Sequence, residues 1–255
     1  MNKEKPLLIV QARTGSSRLP KKMLLPIIDD KSVLDVILER LVENFSHQNI
    51  IIATTTATGD DDIVEIATRH DINVFRGSEH DVLSRFINAA DKYNAKKVIR
   101  ICADNVFMDI SQLDLLYRAA SLNDSFDYIS FITDSGTPSI KTHFGFWAEA
   151  VTTEALKKVR DLTTDAVFHE HVTNFIYSNP NIFRCCFIPI DRQIQDRPSL
   201  RLTLDTLDDY TLQKEIYSHF IENNIPLTPK NIIAYLDIHQ GYYVKMQKNI
   251  NQNTK

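Results

Sequence analysis

Short β-rich runs alternate with stretches of helical spacing through the first half of the chain, and few folds accept that rhythm. "LLIV" (Leu7 to Val10) reads as a buried strand, "NIIIATTT" as a second, "NVF" as a third and "KKVIRICA" as a fourth. Between them, Ser32 opens "SVLDVILERLVENF", with Asp35 at the acidic position of a capping box. "DDDIVEIATRHD" begins on three aspartates suited to a positive helix N-terminus; "EHDVLSRFINAADKYN" and "DISQLDLLYRAASLN" supply two more helices. The β-α-β-α order predicts an α/β fold, with a mostly parallel sheet and helices on both faces. Ligands of such sheets sit beyond the carboxyl ends of the strands. The loop after "LLIV" and the "ADN" at 103–105 both leave a strand at that end.

The second half is less regular. "FGFWAEAV" reads as a strand leading into the helix "TTEALKKVRDL", and "TDAVFHEHVTNFIYS" as helical. "NIFRCCFIPI" and "SLRLTLDT" read as strands, and "LDDYTLQKEIYSHFIENN" and "PKNIIAYLDIH" as closing helices. With no Gly/Ser or Pro-rich linker and no internal repeat, residues 1–245 read as one domain and 246–255 as a polar, fraying tail.

The 255 residues are 43% hydrophobic and 24% charged, which is globular composition, and their net charge of -4 argues against a nucleic-acid partner. Three cysteines without disulfide or zinc spacing suit a reduced, cytoplasmic setting. No run approaches the ~20 apolar residues of a membrane span.

The loop "QARTGSSRLPKK" carries the chemistry. Thr14, Gly15, Ser16 and Ser17 offer backbone amides and hydroxyls for an anion nest, and Arg13, Arg18, Lys21 and Lys22 add charge. A polyphosphate suits them better than a single carboxylate; the plain alternative is a solvated basic turn. Neither a Walker A sequence nor a GxGxxG fingerprint is present. Asp104, after the apolar strand "VIRICA", suits Mg²⁺, a hard cation that prefers oxygen. Asp205 in "RLTLDTLDD" suits a second metal carboxylate, with a turn or cap role equally open for each, while Asp208 and Asp209 open the next helix. In "VFRGSEHDVLSRF", Asp81 and Arg85 lie four apart and read as a surface ion pair. "HEHV" lacks metal-binding helical spacing, and Cys185 and Cys186 read as core.

With these segments in view, the chain resembles cytidylyltransferases of the acylneuraminate and 3-deoxy-manno-octulosonate type, nearest the spore-coat polysaccharide branch. "LLIVQARTGSSRLPKKML" is similar to the family signature, and "VFRGSEHDVLSRF", "RICADNVFMDI", "GFWAEAVTTEAL", "HEHVTNFIY" and "LRLTLDTLDDYTL" follow in the family's order. The resemblance implies a Rossmann-like nucleotide-diphosphosugar transferase fold, a homodimer, and Mg²⁺-dependent transfer of CMP from CTP to a small, acidic sugar. By position, it assigns catalytic roles to Arg13, Lys22 and Asp104, and metal binding to Asp104 and Asp205. It assigns nucleotide contacts to Gln11, Ala12, Arg13, Gly15, Ser16, Arg18, Lys22, Arg76, Gly77 and Asp81. Gly145, Trp147 and Glu149 would face the sugar. The chain departs from the pattern at three places. Lys21 replaces the glycine of "RLPGK", "CADNVF" stands for "TGDCPL", and "GFWAEAV" for "GLDVEVF" puts Trp147 where an acidic residue is usual. Two alternatives are a glycosyltransferase, with "DDD" at 60–62 as its nearest metal motif, and a catalytically silent nucleotide binder.

Overall fold

The computed structural model describes residues 5–253. Its strands are β1 (Leu7–Gln11), β2 (Pro26–Ile28), β3 (Lys31–Ser32), β4 (Ile50–Thr55), β5 (Asn73–Gly77), β6 (Lys97–Cys102), β7 (Tyr128–Ile132), β8 (Glu149–Thr152) and β9 (Cys185–Pro189). Its α-helices are α1 (Val33–Val42), α2 (Asp61–Arg69), α3 (Val82–Lys92), α4 (Ile110–Leu122), α5 (Thr153–Leu162), α6 (Ala166–Glu170), α7 (Asn174–Ser178), α8 (Arg192–Gln195), α9 (Leu207–Glu222), α10 (Pro229–Ile238) and α11 (Gly241–Gln252). Seven strands form one sheet in the order β5-β4-β1-β6-β8-β7-β9, and β2 and β3 pair separately. Only β8 runs antiparallel to its neighbours in the large sheet.

Both faces of the sheet are covered, which is why its strands read as continuous apolar runs. Successive side chains of β1 alternate between faces. Leu8 and Val10 join a core with residues of α1, α4 and α9, while Leu7 and Ile9 join one with residues of α3 and α5. Capping fixes the helix starts. Ser32 and Asp35 form the expected capping box at α1, and Thr206 and Asp209 form another at α9.

Register brings the site together. Gln11 lies level with Ala53 of β4 and Cys102 of β6. The chain therefore leaves β1, β4 and β6 along one rim. Because β8 is antiparallel, with Glu149 opposite Arg100, the segment entering it arrives at that same rim. The connections diverge on either side of β1, which is the switch point where ligands of such sheets bind.

Four expectations need correction. Residues 199–206 form no strand: Leu202 and Leu204 donate their amides to the carbonyls of His143 and Asp104, in loops beyond the sheet. The "TDAVFHEHVTNFIYS" stretch breaks into α6 and α7. The polar tail is helical as far as Gln252; Met246 is buried, and Asn249 donates to Asp209 at 3.1 Å. The cysteine pair lies on the edge strand β9, with Cys186 exposed rather than in the core. Among the described residues, no helix is long and apolar enough to cross a membrane.

Candidate active site

A cavity of about 810 Å³ opens at the switch point. The "QARTGSSRLPKK" loop forms one wall, and its shape is set by Thr14 and Asp60. The Thr14 amide and hydroxyl donate to Oδ1 of Asp60 at 2.8 and 2.6 Å. The Thr14 carbonyl in turn accepts the amides of Ser16 and Lys21, both at 2.9 Å. The other carboxylate oxygen of Asp60 takes the Thr54 hydroxyl and both the amide and hydroxyl of Thr55. Burial pushes this carboxyl up, but the hydrogen bonds from Thr14, Thr55 and Thr54 outweigh it and hold the pKa at about 2. Asp60 is thus the buckle of the loop rather than one of three dipole-facing aspartates. The amides of Thr14 and Ser16 are committed within the protein, so the expected nest is partly filled by the loop itself.

Lys21 has φ 56 and ψ 24, the left-handed conformation that costs a side chain about 1–2 kcal/mol. That geometry is the physical reason a glycine suits this place. The ammonium of Lys21 pairs with Asp62 at 3.2 Å.

Three further charged groups of the loop, all on the cavity wall, also face carboxylates. Arg13 pairs with Glu170 at 3.1 Å and Arg18 with Asp205 at 3.1 Å. Lys22 Nζ stands 3.5 Å from Asp104 Oδ2 and 3.4 Å from Asp205 Oδ1, and donates to the Leu204 carbonyl at 2.6 Å. Asp104 and Asp205, 101 positions apart in the chain, thus converge on one ammonium. Behind Asp205 lies Arg201, whose side chain has no exposed surface. It donates to Asp205 Oδ2 at 3.2 Å, to both oxygens of Asp209 at 2.8 Å, and contacts His143 Nδ1 at 2.9 Å.

Of the expected residues, Gln11, Ala12, Arg13, Ser16, Arg18 and Lys22 line the cavity, as do Asp104, Asp205, Gly145 and Trp147. Gly145 has φ +73, and a Cβ there would come within 2.5 Å of the Leu202 carbonyl oxygen, so this position needs glycine. Trp147 is largely core, stacked on Phe131 with ring centroids 5.8 Å apart, while its carbonyl accepts from Asn105.

Gly15, Arg76, Gly77, Asp81 and Glu149 do not reach the cavity wall. Arg76 braces the neighbouring loop through the carbonyls of Thr55 and Ala57 and through Asp61. Asp81 caps α3 through the Ser84 amide and pairs with His169 at 3.0 Å. Its expected surface pair with Arg85 does not form. Arg85 is fully buried, donates to the Ser78 carbonyl, and burial lowers its pKa to about 10. Glu149 is buried one layer behind the wall, accepting from Arg100 at 2.6 Å, from Thr173 at 2.8 Å and from Tyr128.

Residues 7–250 match the cytidylyltransferase family. The chain belongs to that family. This cytidylyltransferase is 37% identical over 247 residues to an uncharacterized protein of Methanocaldococcus jannaschii, covering 97% of this chain and 94% of the relative. It is 32% identical over 216 residues to the spore coat polysaccharide biosynthesis protein SpsF of Bacillus subtilis, covering 83% and 85%. The solved structure of a cytidylyltransferase from Leptospira borgpetersenii serovar Hardjo-bovis superposes with a TM-score of 0.82 at 28% identity, over 94% of this chain and 97% of the other. The fold is therefore the Rossmann-like nucleotidyltransferase fold that the resemblance implied, and the protein is a nucleotidyltransferase.

Sequence reading missed several cavity residues of this cytidylyltransferase. Arg100 was signalled only as a charge inside the apolar run "VIRICA"; it donates to Gln11 at 2.9 Å and to Glu149. Burial disfavours its charge, but facing Cys102 and Glu149 keeps the guanidinium charged. Glu170, Lys141 and Tyr177 also line the wall. They lie in helical pieces of three to five residues, too short for a periodicity to indicate which way a side chain faces. The glycosyltransferase alternative loses its motif, since Asp60, Asp61 and Asp62 are engaged by the threonines, Arg76 and Lys21.

Proposed function

We propose that the enzyme transfers CMP from CTP to an acidic sugar and releases pyrophosphate, using Mg²⁺. The observation that carries this reading is the convergence of Arg13, Arg18 and Lys22 with Asp104 and Asp205 on one cavity, in a chain of the cytidylyltransferase family. Arg13, Arg18 and Lys22 bind the triphosphate, the two arginines as forks and Lys22 as a mobile point charge. Asp104 and Asp205 hold the metal. Their fit is supported by the ammonium of Lys22, already held by both carboxylates and the Leu204 carbonyl, a hard oxygen donor set. Among the described residues no group of three or more His, Cys, Asp or Glu forms a cluster, and Asp104 and Asp205 are the two carboxylates that would hold the ion. When bound, the ion neutralises phosphate charge and lowers the pKa of the attacking hydroxyl. The acceptor hydroxyl gives its proton to water and its oxygen bonds to the α-phosphorus as the bond from the α-phosphorus to the bridging oxygen breaks and pyrophosphate leaves. Arg13 and Lys22 stabilise the charge gathering on the α-phosphoryl oxygens and on pyrophosphate.

Lys141 supports an acidic acceptor. Of the five Lys and Arg side chains on the cavity wall it alone makes no ion pair among the described residues. Its ammonium lies 5.6 Å from the centre of the Tyr177 ring. In this reading Lys141 takes the acceptor carboxylate. The Bacillus subtilis relative, a spore coat polysaccharide biosynthesis protein by name, supports a place in surface polysaccharide synthesis. The test is pyrophosphate release from CTP with a panel of acidic and neutral sugars. Turnover with an acidic sugar, with an acceptor KM raised at least tenfold by Lys141→Ala at unchanged CTP KM, supports the reading. Turnover with neutral sugars only, indifferent to Lys141, overturns the acceptor class.

A further inference from the structure

Asp205 is crowded with positive charge from the protein itself. Oδ1 faces both Arg18 at 3.1 Å and Lys22 at 3.4 Å, and Oδ2 accepts from Arg201 at 3.2 Å. Lys22 also spans to Asp104, and its side chain is only 13% exposed. A divalent cation takes carboxylate oxygens at closer range than an ammonium does. It cannot share Asp104 Oδ2 and Asp205 Oδ1 with Lys22 without setting like charges side by side in a half-buried cleft.

The two arginines differ from Lys22 in what they can do. Arg201 is locked by Asp209 and His143 and engages the far oxygen, so it stays. The Arg18 side chain is 43% exposed, so rotation can carry its guanidinium into solvent. Lys22 sits on a flexible four-carbon stem at the first residue of a short 3-10 turn, Lys22–Leu24. A triphosphate in the cavity offers that ammonium a far larger negative charge than the two carboxylates.

We propose that Lys22 is the resident cation of the Asp104–Asp205 pair in the nucleotide-free enzyme. A divalent ion then enters the pair only with the nucleotide that draws Lys22 away. This deepens the function proposed above and rests on its assignment of triphosphate and metal. Linkage makes the effect reciprocal: the nucleotide raises metal affinity, and the metal raises nucleotide affinity, by the same factor.

Manganese tests this without turnover. Free Mn²⁺ is counted by electron paramagnetic resonance during titration of the full-length protein, with and without a non-hydrolysable CTP analogue. The wild type binds Mn²⁺ at least tenfold more weakly without the analogue than with it. Lys22→Met gains at least tenfold in Mn²⁺ affinity without nucleotide, and adding Asp205→Asn removes that gain. Lys22→Gln, which keeps a polar tip, shows the same gain, and circular dichroism confirms that each variant is folded. Unchanged or weaker Mn²⁺ binding by both folded Lys22 variants, while the wild type still binds the analogue with Mn²⁺, overturns the placeholder and leaves the proposed function standing. A wild type that binds no CTP analogue under any metal condition overturns both.

Discussion

The carboxylate of Asp60 holds Thr14 by its backbone amide at 2.8 Å and by its hydroxyl at 2.6 Å, across 46 residues of sequence. Through this contact the residue that precedes α2 fixes the loop that follows β1. Asp60→Ala strands the buried donors of Thr14, Thr54 and Thr55, at a cost of about 3–5 kcal/mol. Chemical denaturation will show a lowered midpoint, and calorimetry will show weaker nucleotide binding as the loop loses its buckle.

Acid sensitivity follows from the same residue. The Asp60 pKa falls from an ordinary 3.8 to about 2 on folding. A depressed carboxyl stabilises the fold fully above its unfolded value and loses that contribution as pH drops through the folded one. The window is therefore about pH 4 down to pH 2, and the contribution is about 2 kcal/mol. Asp35 at the cap of α1, also held at about 2, acts in the same window, as the bonds from Ser32, His70 and Arg69 overcome burial. Unfolding free energy measured against pH will fall through this range, and less steeply in Asp60→Asn.

Lys21 carries the backbone strain of a left-handed residue and gains an exposed ion pair with Asp62. Relief of the strain is worth about 1 kcal/mol, and an exposed pair about 0–1 kcal/mol. Lys21→Gly therefore leaves stability within about 1 kcal/mol of wild type, while Lys21→Val lowers it by about 1–2 kcal/mol. Paired denaturation curves will separate the two.

Gly145 abuts the Leu202 backbone, where a Cβ would meet the carbonyl oxygen at 2.5 Å and the carbonyl carbon at 2.6 Å. Neither atom can rotate away. Gly145→Ala costs about 2–4 kcal/mol and displaces the segment carrying Asp205, so melting temperature and Mn²⁺ affinity in the presence of nucleotide fall together.

Most of the fold was legible because its signals are local. Ser32 with Asp35 and Thr206 with the acidic residues after Leu207 mark helix starts within a few residues, and apolar runs mark strands buried on both faces. The segment 199–206 misled because its leucines alternate as in a strand. They are buried at Leu200, Leu202 and Leu204, but Arg201, Thr203 and Asp205 between them are buried too. A run packed on all sides carries the alternation without needing a ladder.

The sequence by itself determined the α/β rhythm, the cationic loop after β1, and the two carboxylates named for its cavity. Each depends on neighbours in the chain or on residue chemistry. Only the tertiary structure decided that Asp60 buckles the loop, that Lys22 stands between Asp104 and Asp205, and that Glu149 lies behind the wall rather than on it. Those relations join residues tens to more than a hundred positions apart. They are set by strand register and by the burial of charge against charge, which no local pattern records.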